Sequence, residues 1–470
     1  MKKLLLLQVL ALFYMGCTDK NSQIEWISTT DSLPWQLKPT SAFSIAQNQD
    51  PSIIIDTNET QQKIDGFGGC FNELGWEALG ILETNLRDSV IKSLFDTILG
   101  CKFNICRMPI GANDYALDWY SYDETPGDFE MKNFSIERDK KNLIPYIKEA
   151  LNYNPSLKIW ASPWCPPSWM KTNGHYACNP DVVNDLPKNK AGKEMVDQFI
   201  IDDKYLKAYA LYFSKFNTAF KNEGIPVYAV HVQNEPNSCQ NFPSCIWTPS
   251  SLAKFIGKFL GPQMQKDHPE TEIWLGTIER PQIERVDTIL QDSLAQKYIK
   301  GVAFQWAGKN CIPEVHKKYP GFRLMQSETE CGNGSNDWGA AVHTFELMKH
   351  YFENGANSYM YWNMVLNESG KSQWGWKQNS MISINTSNKS VRYNPEFYLM
   401  KHFSYFIEPG AVKISIKGEN KNCLAFKNKH SIVIIYYNAG DAREVMLKVN
   451  GSTMKLECDK ESFNTWRVSI

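Results

Sequence analysis

The sequence contains no Cys-x-x-Cys and no His-Glu-x-x-His, and its 8 histidines are scattered. Those gaps argue against a zinc site and against a metallohydrolase. No Gly-x-Gly-x-x-Gly opens a helix after a strand, which argues against a doubly wound, dinucleotide-binding sheet. Neither sign of charge prevails: 50 Lys and Arg meet 51 Asp and Glu, for a formal net charge of −1. Nucleic acid or an anionic membrane surface would call for a basic excess, and there is none. Beyond the first 17 residues no apolar run is long enough for a transmembrane helix. Internal repeats and low-complexity blocks are also missing.

What remains is a globular chain of 470 residues, 43% hydrophobic and 21% charged. That length suffices for one large catalytic domain and a smaller companion. The N-terminus, MKKLLLLQVLALFYMGC, places two lysines before an apolar run and then Gly16-Cys17. It is too short to span a membrane as a mature helix and reads as a secretion signal. The ending resembles a bacterial lipoprotein signal with Cys17 as the lipidated residue. The expected location is therefore the cell envelope, with membrane contact only through that lipid. Of 12 cysteines, 11 would remain after lipidation, so at least one is unpaired. An oxidising compartment permits pairing. Cys239–Cys245, close together around a Pro-containing loop, is the first expectation, and Cys165–Cys178 the second.

Residues 18–35 are polar and irregular, as a tether would be. From about residue 64 to 400, short apolar runs alternate with amphipathic stretches. The runs are IDGFGG (64–69), NICRMPIG (104–111), LKIWASP (157–163), VYAVHVQNEP (227–236), EIWLGT (272–277), VAFQW (302–306), FRLMQSETE (322–330) and SYMYWNM (358–364). Helical spacing between them is illustrated by Leu86, Val90, Ile91, Leu94, Phe95 and Ile98. Eight nearly continuous apolar strands, each followed by a helix, predict an α/β (β/α)8 TIM barrel over residues 61–404. The alternation in PSIIIDT (51–57), LAFKNKHSIVIIYYNAG (424–440) and MLKVNG (446–451) predicts antiparallel sheet. Residues 36–60 plus 405–470 are therefore assigned to a small β-sandwich built from both chain ends.

In such a barrel the chemistry sits at the C-terminal ends of the strands. That rule selects Arg107 at strand two, Trp164 at strand three, and Asn234 and Glu235 at strand four. It also selects Glu328 or Glu330 at strand seven and Trp362 at strand eight. Two glutamates facing each other across a mouth rich in tryptophan suggest glycoside hydrolysis. One would protonate the leaving oxygen while the other attacks carbon or activates water. Burial or a neighbouring negative charge would keep the acid protonated. Periodicity does not separate Glu328 from Glu330, since residues two apart share a face. Gln305 reads as a barrel-interior amide, Trp169 and Trp306 as packing, Asp65 and Asp114 as structural, and His231 as a core histidine.

Several stretches carry a resemblance over nearly the whole chain after residue 50. They are GFGGCFNE (66–73), RMPIGANDY (107–115), YDETPGDFEMKNFSI (122–136), ASPWCPPSWMKTNG (161–174), VQNEP (232–236), LMQSETECG (324–332), YWNMVLNESG (361–370) and FYLMKHFSYFI (397–407). In this order they resemble glycoside hydrolase family 30, whose members include glucosylceramidases and β-1,6-glucanases. The resemblance implies Glu235 as acid/base and Glu328 as nucleophile in a retaining mechanism, with no cofactor or metal. It implies Asn234 on the sugar 2-hydroxyl, Trp164 and Trp362 against the sugar, Arg107 near the nucleophile, and Glu124 on the outer hydroxyls. Gln305 stands at the end of strand six and joins the substrate-binding set. Ala307 stands where glucosylceramidases carry a tyrosine, which opens that side of the site. The expected partner is a β-glucan or other β-glucoside. A non-catalytic, glycan-binding lipoprotein on a degenerate barrel is the alternative.

Overall fold

The computed structural model describes residues 24–39, 43–46, 50–418 and 421–470. The expected signal segment and Cys17 lie outside them. Eight parallel strands close into a barrel: β1 (Gly66–Cys70), β2 (Ile105–Ile110), β3 (Lys158–Pro163), β4 (Val227–His231), β5 (Glu272–Ile278), β6 (Ile299–Gln305), β7 (Arg323–Glu328) and β8 (Ala356–Asn363). Seven neighbouring pairs follow chain order, and β8 pairs with β1 to close the ring. The strands read as continuous apolar runs because helices cover the outside while side chains fill the inside. Ile105, Trp160, Ala229, Trp274, Met325 and Met360 form one such inner cluster. The His231 ring is stacked between Trp160 and Trp274, at 3.9 and 5.4 Å. Burial holds it well below the usual histidine pKa, so it is a neutral core residue beneath the site. At Gly68 a Cβ would lie 1.8 Å from the Ile105 carbonyl oxygen, so β1 and β2 approach as closely as glycine allows.

The helices show why their sequences fold as they do. Asp202 caps the helix Asp203–Asn222 by accepting from the Lys204 N–H. That helix buries Leu206, Tyr209, Phe213, Phe216 and Phe220, spaced by three or four residues. The helix Thr84–Phe95 buries Val90, Ile91, Leu94 and Phe95. Its expected stripe is shorter than the periodicity suggested: Ile98 is exposed because the helix stops before it, and Leu86, in the first turn, is exposed as well.

The second unit is one ten-stranded sheet with strands from both chain ends. Its core contains Trp26, Ile53, Ile55, Ile414, Ile434, Leu447 and Trp466. The N-terminal contribution begins earlier than expected. Ile24–Thr29 is a strand, paired antiparallel with Ser462–Ser469 and placing Trp26 opposite Trp466. Residues 24–29, expected to be tether, are therefore sheet, held by partners more than 430 positions away. Among the described residues no helix is long and apolar enough to cross a membrane.

Candidate active site

The site is built upward from Arg107, the third residue of β2 and fully buried. An isolated guanidinium inside a protein is costly, and here every face of it is used. Its Nη1 donates to Glu328 Oε2 at 2.8 Å and its Nη2 to Asn234 Oδ1 at 2.7 Å. Nε and Nη2 also reach Ser162 Oγ, at 3.2 and 3.0 Å. Its flat faces lie 4.3, 4.9 and 5.1 Å from the rings of Trp164, Trp160 and Trp362. Arg107 thus ties the end of β7 to the turn after β4.

Gln305, at the end of β6, lies between the two glutamates. Its Nε2 donates to Glu235 Oε1 and to Glu328 Oε2, each at 3.2 Å. Two oxygens sharing one nitrogen at that distance are no more than twice 3.2 Å apart. Its Oε1 accepts from Ser327 Oγ at 3.0 Å, which fixes the amide's orientation. Asn234 is fixed in the same way. Its Oδ1 accepts from Arg107, Thr277 Oγ1 and Gln305 Nε2, leaving its amide nitrogen for the cavity.

Glu235 has φ +47°, in the left-handed region that L-residues seldom enter. Such a conformation costs about 1–3 kcal/mol and persists where its surroundings enforce it. The Glu235 N–H donates to the Thr277 carbonyl at 3.2 Å, and the next residues are gripped by Glu279. Glu279 is buried. Its Oε1 accepts from the Asn237 N–H at 2.9 Å and from Ser238 Oγ at 3.0 Å. Gln240 completes the environment, donating to Glu235 Oε2 at 3.1 Å.

The two carboxyls are distinguished by their donors. Burial pushes both up from the ordinary glutamate range. For Glu328, taken up to about 7, the Arg107 guanidinium works against that rise, while the charge on Glu235 adds to it. Trp306 Nε1 also donates to Glu328 Oε1, at 3.2 Å. Glu235 meets only neutral amides at contact distance. The shared proton of such a pair belongs on the member without a contacting cation, so it rests on Glu235 and leaves Glu328 charged.

Both glutamates line a cavity of about 350 Å³ together with Asp114, Trp164, Asn234 and Trp306. Several expectations change here. Glu124 does not line this cavity. It is exposed, held by Ser168 N–H and Oγ and by Ser121, because the loop turns its carboxylate toward Ser168. Asp114, read as structural, faces the glutamates instead. Its buried Oδ1 has no protein partner, and burial plus the Glu328 charge raises its pKa well above the aspartate range. A buried carboxylate oxygen without a donor, beside a cavity, is a place for a ligand hydroxyl. Trp306, read as packing, has φ +47°, which brings its N–H onto Glu328. Arg107, Gln305 and Trp362 do not line the cavity. Arg107 and Gln305 hydrogen-bond residues that do, and the Trp362 ring packs 5.4 Å from that of Trp164.

Glu330 pairs with Lys309 at 2.5 Å and with His343 at 3.2 Å, away from Glu235. Trp169 packs as expected, donating to the Asp123 carbonyl at 3.0 Å. Cys165, Cys178, Cys239 and Cys245 are free thiols, so neither expected disulfide is present. Among the described residues no group of three or more His, Cys, Asp or Glu is arranged to hold a metal ion.

A closed parallel barrel that brings glutamates from its fourth and seventh strands to one cavity, among tryptophans, has the architecture of a glycoside hydrolase. Comparison supplies the family. Residues 64–407 match the model described as the glycosyl hydrolase family 30 TIM-barrel domain, and the chain belongs to that family. It is 32% identical to putative glucosylceramidase 1 of Caenorhabditis elegans, across 77% of this chain and 70% of the relative. It is 28% identical to the lysosomal acid glucosylceramidase of Mus musculus, across 77% and 72%. It is 26% identical to the endo-1,6-beta-D-glucanase neg1 of Aspergillus fumigatus, across 76% and 73%. Among solved structures, the endo-beta1,6-glucanase BT3312 superposes with TM-score 0.80 at 26% identity, covering 95% of this chain and 99% of that one. SrfJ from Salmonella typhimurium superposes with TM-score 0.83 at 24% identity over the same shares, a likeness of fold.

Proposed function

We propose that this family 30 glycosidase is a retaining enzyme that cleaves β-glucosidic bonds. The observation that carries the reading is the Gln305 amide nitrogen shared by Glu235 and Glu328. The upper bound it sets on those two oxygens falls at the short edge of the roughly 6.5–9.5 Å of inverting pairs, and it accommodates the roughly 5–5.5 Å of retaining ones. Glu328 attacks the anomeric carbon as the bond to the leaving oxygen breaks. Glu235 gives that oxygen its proton. Glu235 then takes a proton from water, which attacks the same carbon and frees Glu328. The Asn234 amide donates to the sugar 2-hydroxyl, and Asp114 accepts from the outer hydroxyls. Trp164 and Trp306 flank the ring.

The leaving group in this reading is another sugar. Gln240, Asn241 and Lys377 place polar groups at the rim, and Phe242 and Trp376, 4.8 Å apart, add an aromatic surface. β-1,6-Glucan is the first candidate, in line with the glucanases among the relatives. Glucosylceramide is the second reading, favoured by the glucosylceramidases. Product profiles on β-1,6-glucan, β-1,3-glucan and glucosylceramide, measured side by side with wild type and Glu328→Gln, test both. Release of glucose or short β-1,6-oligosaccharides by wild type alone is expected. Equal, background-level rates in both proteins on all three would favour the glycan-binding alternative. Export to the cell envelope with lipid on Cys17 belongs to the same proposal. It predicts incorporation of labelled palmitate that Cys17→Ala abolishes.

A further inference from the structure

Two thiols lie between the loops that follow β3 and β4, and the hydrolytic chemistry uses neither. Cys178 is buried and Cys239 half-buried. Both pack against Gly192, where a Cβ would lie 3.2 Å from Cys178 Cβ and 3.3 Å from Cys239 Sγ. Two atoms that close to one point are neighbours, so Cys239 Sγ lies beside the Cys178 side chain. The backbone holds them in register: the N–H groups of Cys178 and Asn179 donate to the Gln240 carbonyl, at 2.9 and 2.8 Å.

Lys171 stands beside them, buried, with its Nζ donating to the carbonyls of Tyr176, Ala177 and Ser244 at 2.9, 3.2 and 2.7 Å. Its Nζ also reaches Cys178 Sγ at 3.6 Å. Among the described residues it makes no salt bridge to a carboxylate. The Cys239 thiol, and after it this ammonium, pull Cys178 down to about 5 against the effect of burial. A thiolate stabilised by a cation, with a second thiol as its neighbour, is the arrangement of a disulfide-forming pair. This pairing takes one cysteine from each of the two disulfides expected from sequence.

We propose that Cys178 and Cys239 are a disulfide site joining the β3 and β4 loops, and that the bond fixes Gln240 against Glu235. The oxidant is an external disulfide, such as oxidised glutathione or an oxidoreductase. Cys239, the more accessible thiol, attacks it, and the first external thiolate leaves with the Cys239 proton. Cys178, already a thiolate, attacks Cys239 Sγ and expels the second, which takes its proton from water. In sum the protein's thiol and thiolate give up two electrons and one proton, water supplies the other proton, and the external disulfide departs as two thiols.

The inference goes beyond the hydrolytic reading and stands without it. The test exposes the full chain to oxidised glutathione, alkylates the remaining thiols and maps peptides under non-reducing conditions. A linked peptide joining Cys178 to Cys239 is expected, lost on treatment with dithiothreitol and absent from Cys239→Ser. Reduction should lower the Tm of oxidised wild type by a few degrees and leave Cys239→Ser unmoved. Recovery of both cysteines as separate alkylated peptides after oxidation would overturn the proposal. So would a link from either one to Cys165 or Cys245. Mapping of wild type decides even if the variant fails to fold.

Discussion

Replacing Glu235 with Gln separates the roles of the two carboxyls. The substitution keeps the side chain's length and at least one of its amide contacts, to Gln305 or Gln240, but removes the transferable proton. A positioned general acid contributes about 10²–10⁴-fold. The full loss should appear with an alkyl β-glucoside, whose alkoxide leaves poorly. With a dinitrophenyl β-glucoside, which departs without a proton, kcat/KM should change by less than about threefold. A second consequence follows from the proton that Glu235 holds while Glu328 ionises. Glu235 is neutral on the acid limb, as Gln would be, so Glu328 should ionise at much the same pH in the variant. The acid limb of kcat/KM should therefore stay in place. The alkaline limb, which reports loss of the Glu235 proton, should disappear. Steady-state rates on the two substrates across the pH range measure both effects. Equal losses on the two substrates, or an alkaline limb that survives, would refute the assignment of Glu235 as the acid.

Asp114→Ala should lower kcat/KM on β-glucosides by about 3–10-fold, the scale of one neutral hydrogen bond. Glu124→Gln should change it by less than about twofold, because its partners are Ser121 and Ser168. Glu279, itself pushed up to about 7 by burial and then by the charge on Glu235, grips the loop that follows Glu235. Glu279→Gln removes a like charge, so the alkaline limb of the pH–rate profile should move to lower pH; an unmoved limb would leave Glu279 a purely structural anchor. Glu396 is buried, has one oxygen without a partner and is pushed up to about 7 from an ordinary 4.5. A carboxyl whose folded pKa is raised binds its proton more tightly when folded. Its favourable contribution is therefore present at low pH and is lost as pH climbs from about 4.5 to about 7. At about 1.4 kcal/mol per pH unit, Glu396→Gln should be more stable than wild type by up to about 3 kcal/mol above pH 7, and equal to it near pH 4, in denaturant melts.

The barrel was legible because parallel strands covered on both faces must be apolar throughout, and VYAVHV and FRLMQS are. Glu235 and Glu328 were legible because a strand end fixes where a side chain points. The choice between Glu328 and Glu330 needed the resemblance, since both share one face of the strand. Asp114 escaped because it lies in the loop beyond β2, where periodicity has no hold. Trp306 escaped because a left-handed backbone turns it toward Glu328. The strand Ile24–Thr29 escaped because its partner is at the other end of the chain. The two disulfides expected from nearness in sequence are absent, because the fold and not sequence distance decides which thiols meet.

The central claim is that Glu328 forms a covalent bond to the sugar while Glu235 handles the proton. Incubation with 2-deoxy-2-fluoro-β-glucosyl fluoride, followed by proteolysis and mass spectrometry, tests it most directly. The account predicts one fluoroglucosyl adduct on Glu328 and a loss of activity that parallels labelling. An adduct on Glu330 or Glu235, or turnover of a natural substrate to the inverted anomer with no adduct, would contradict it.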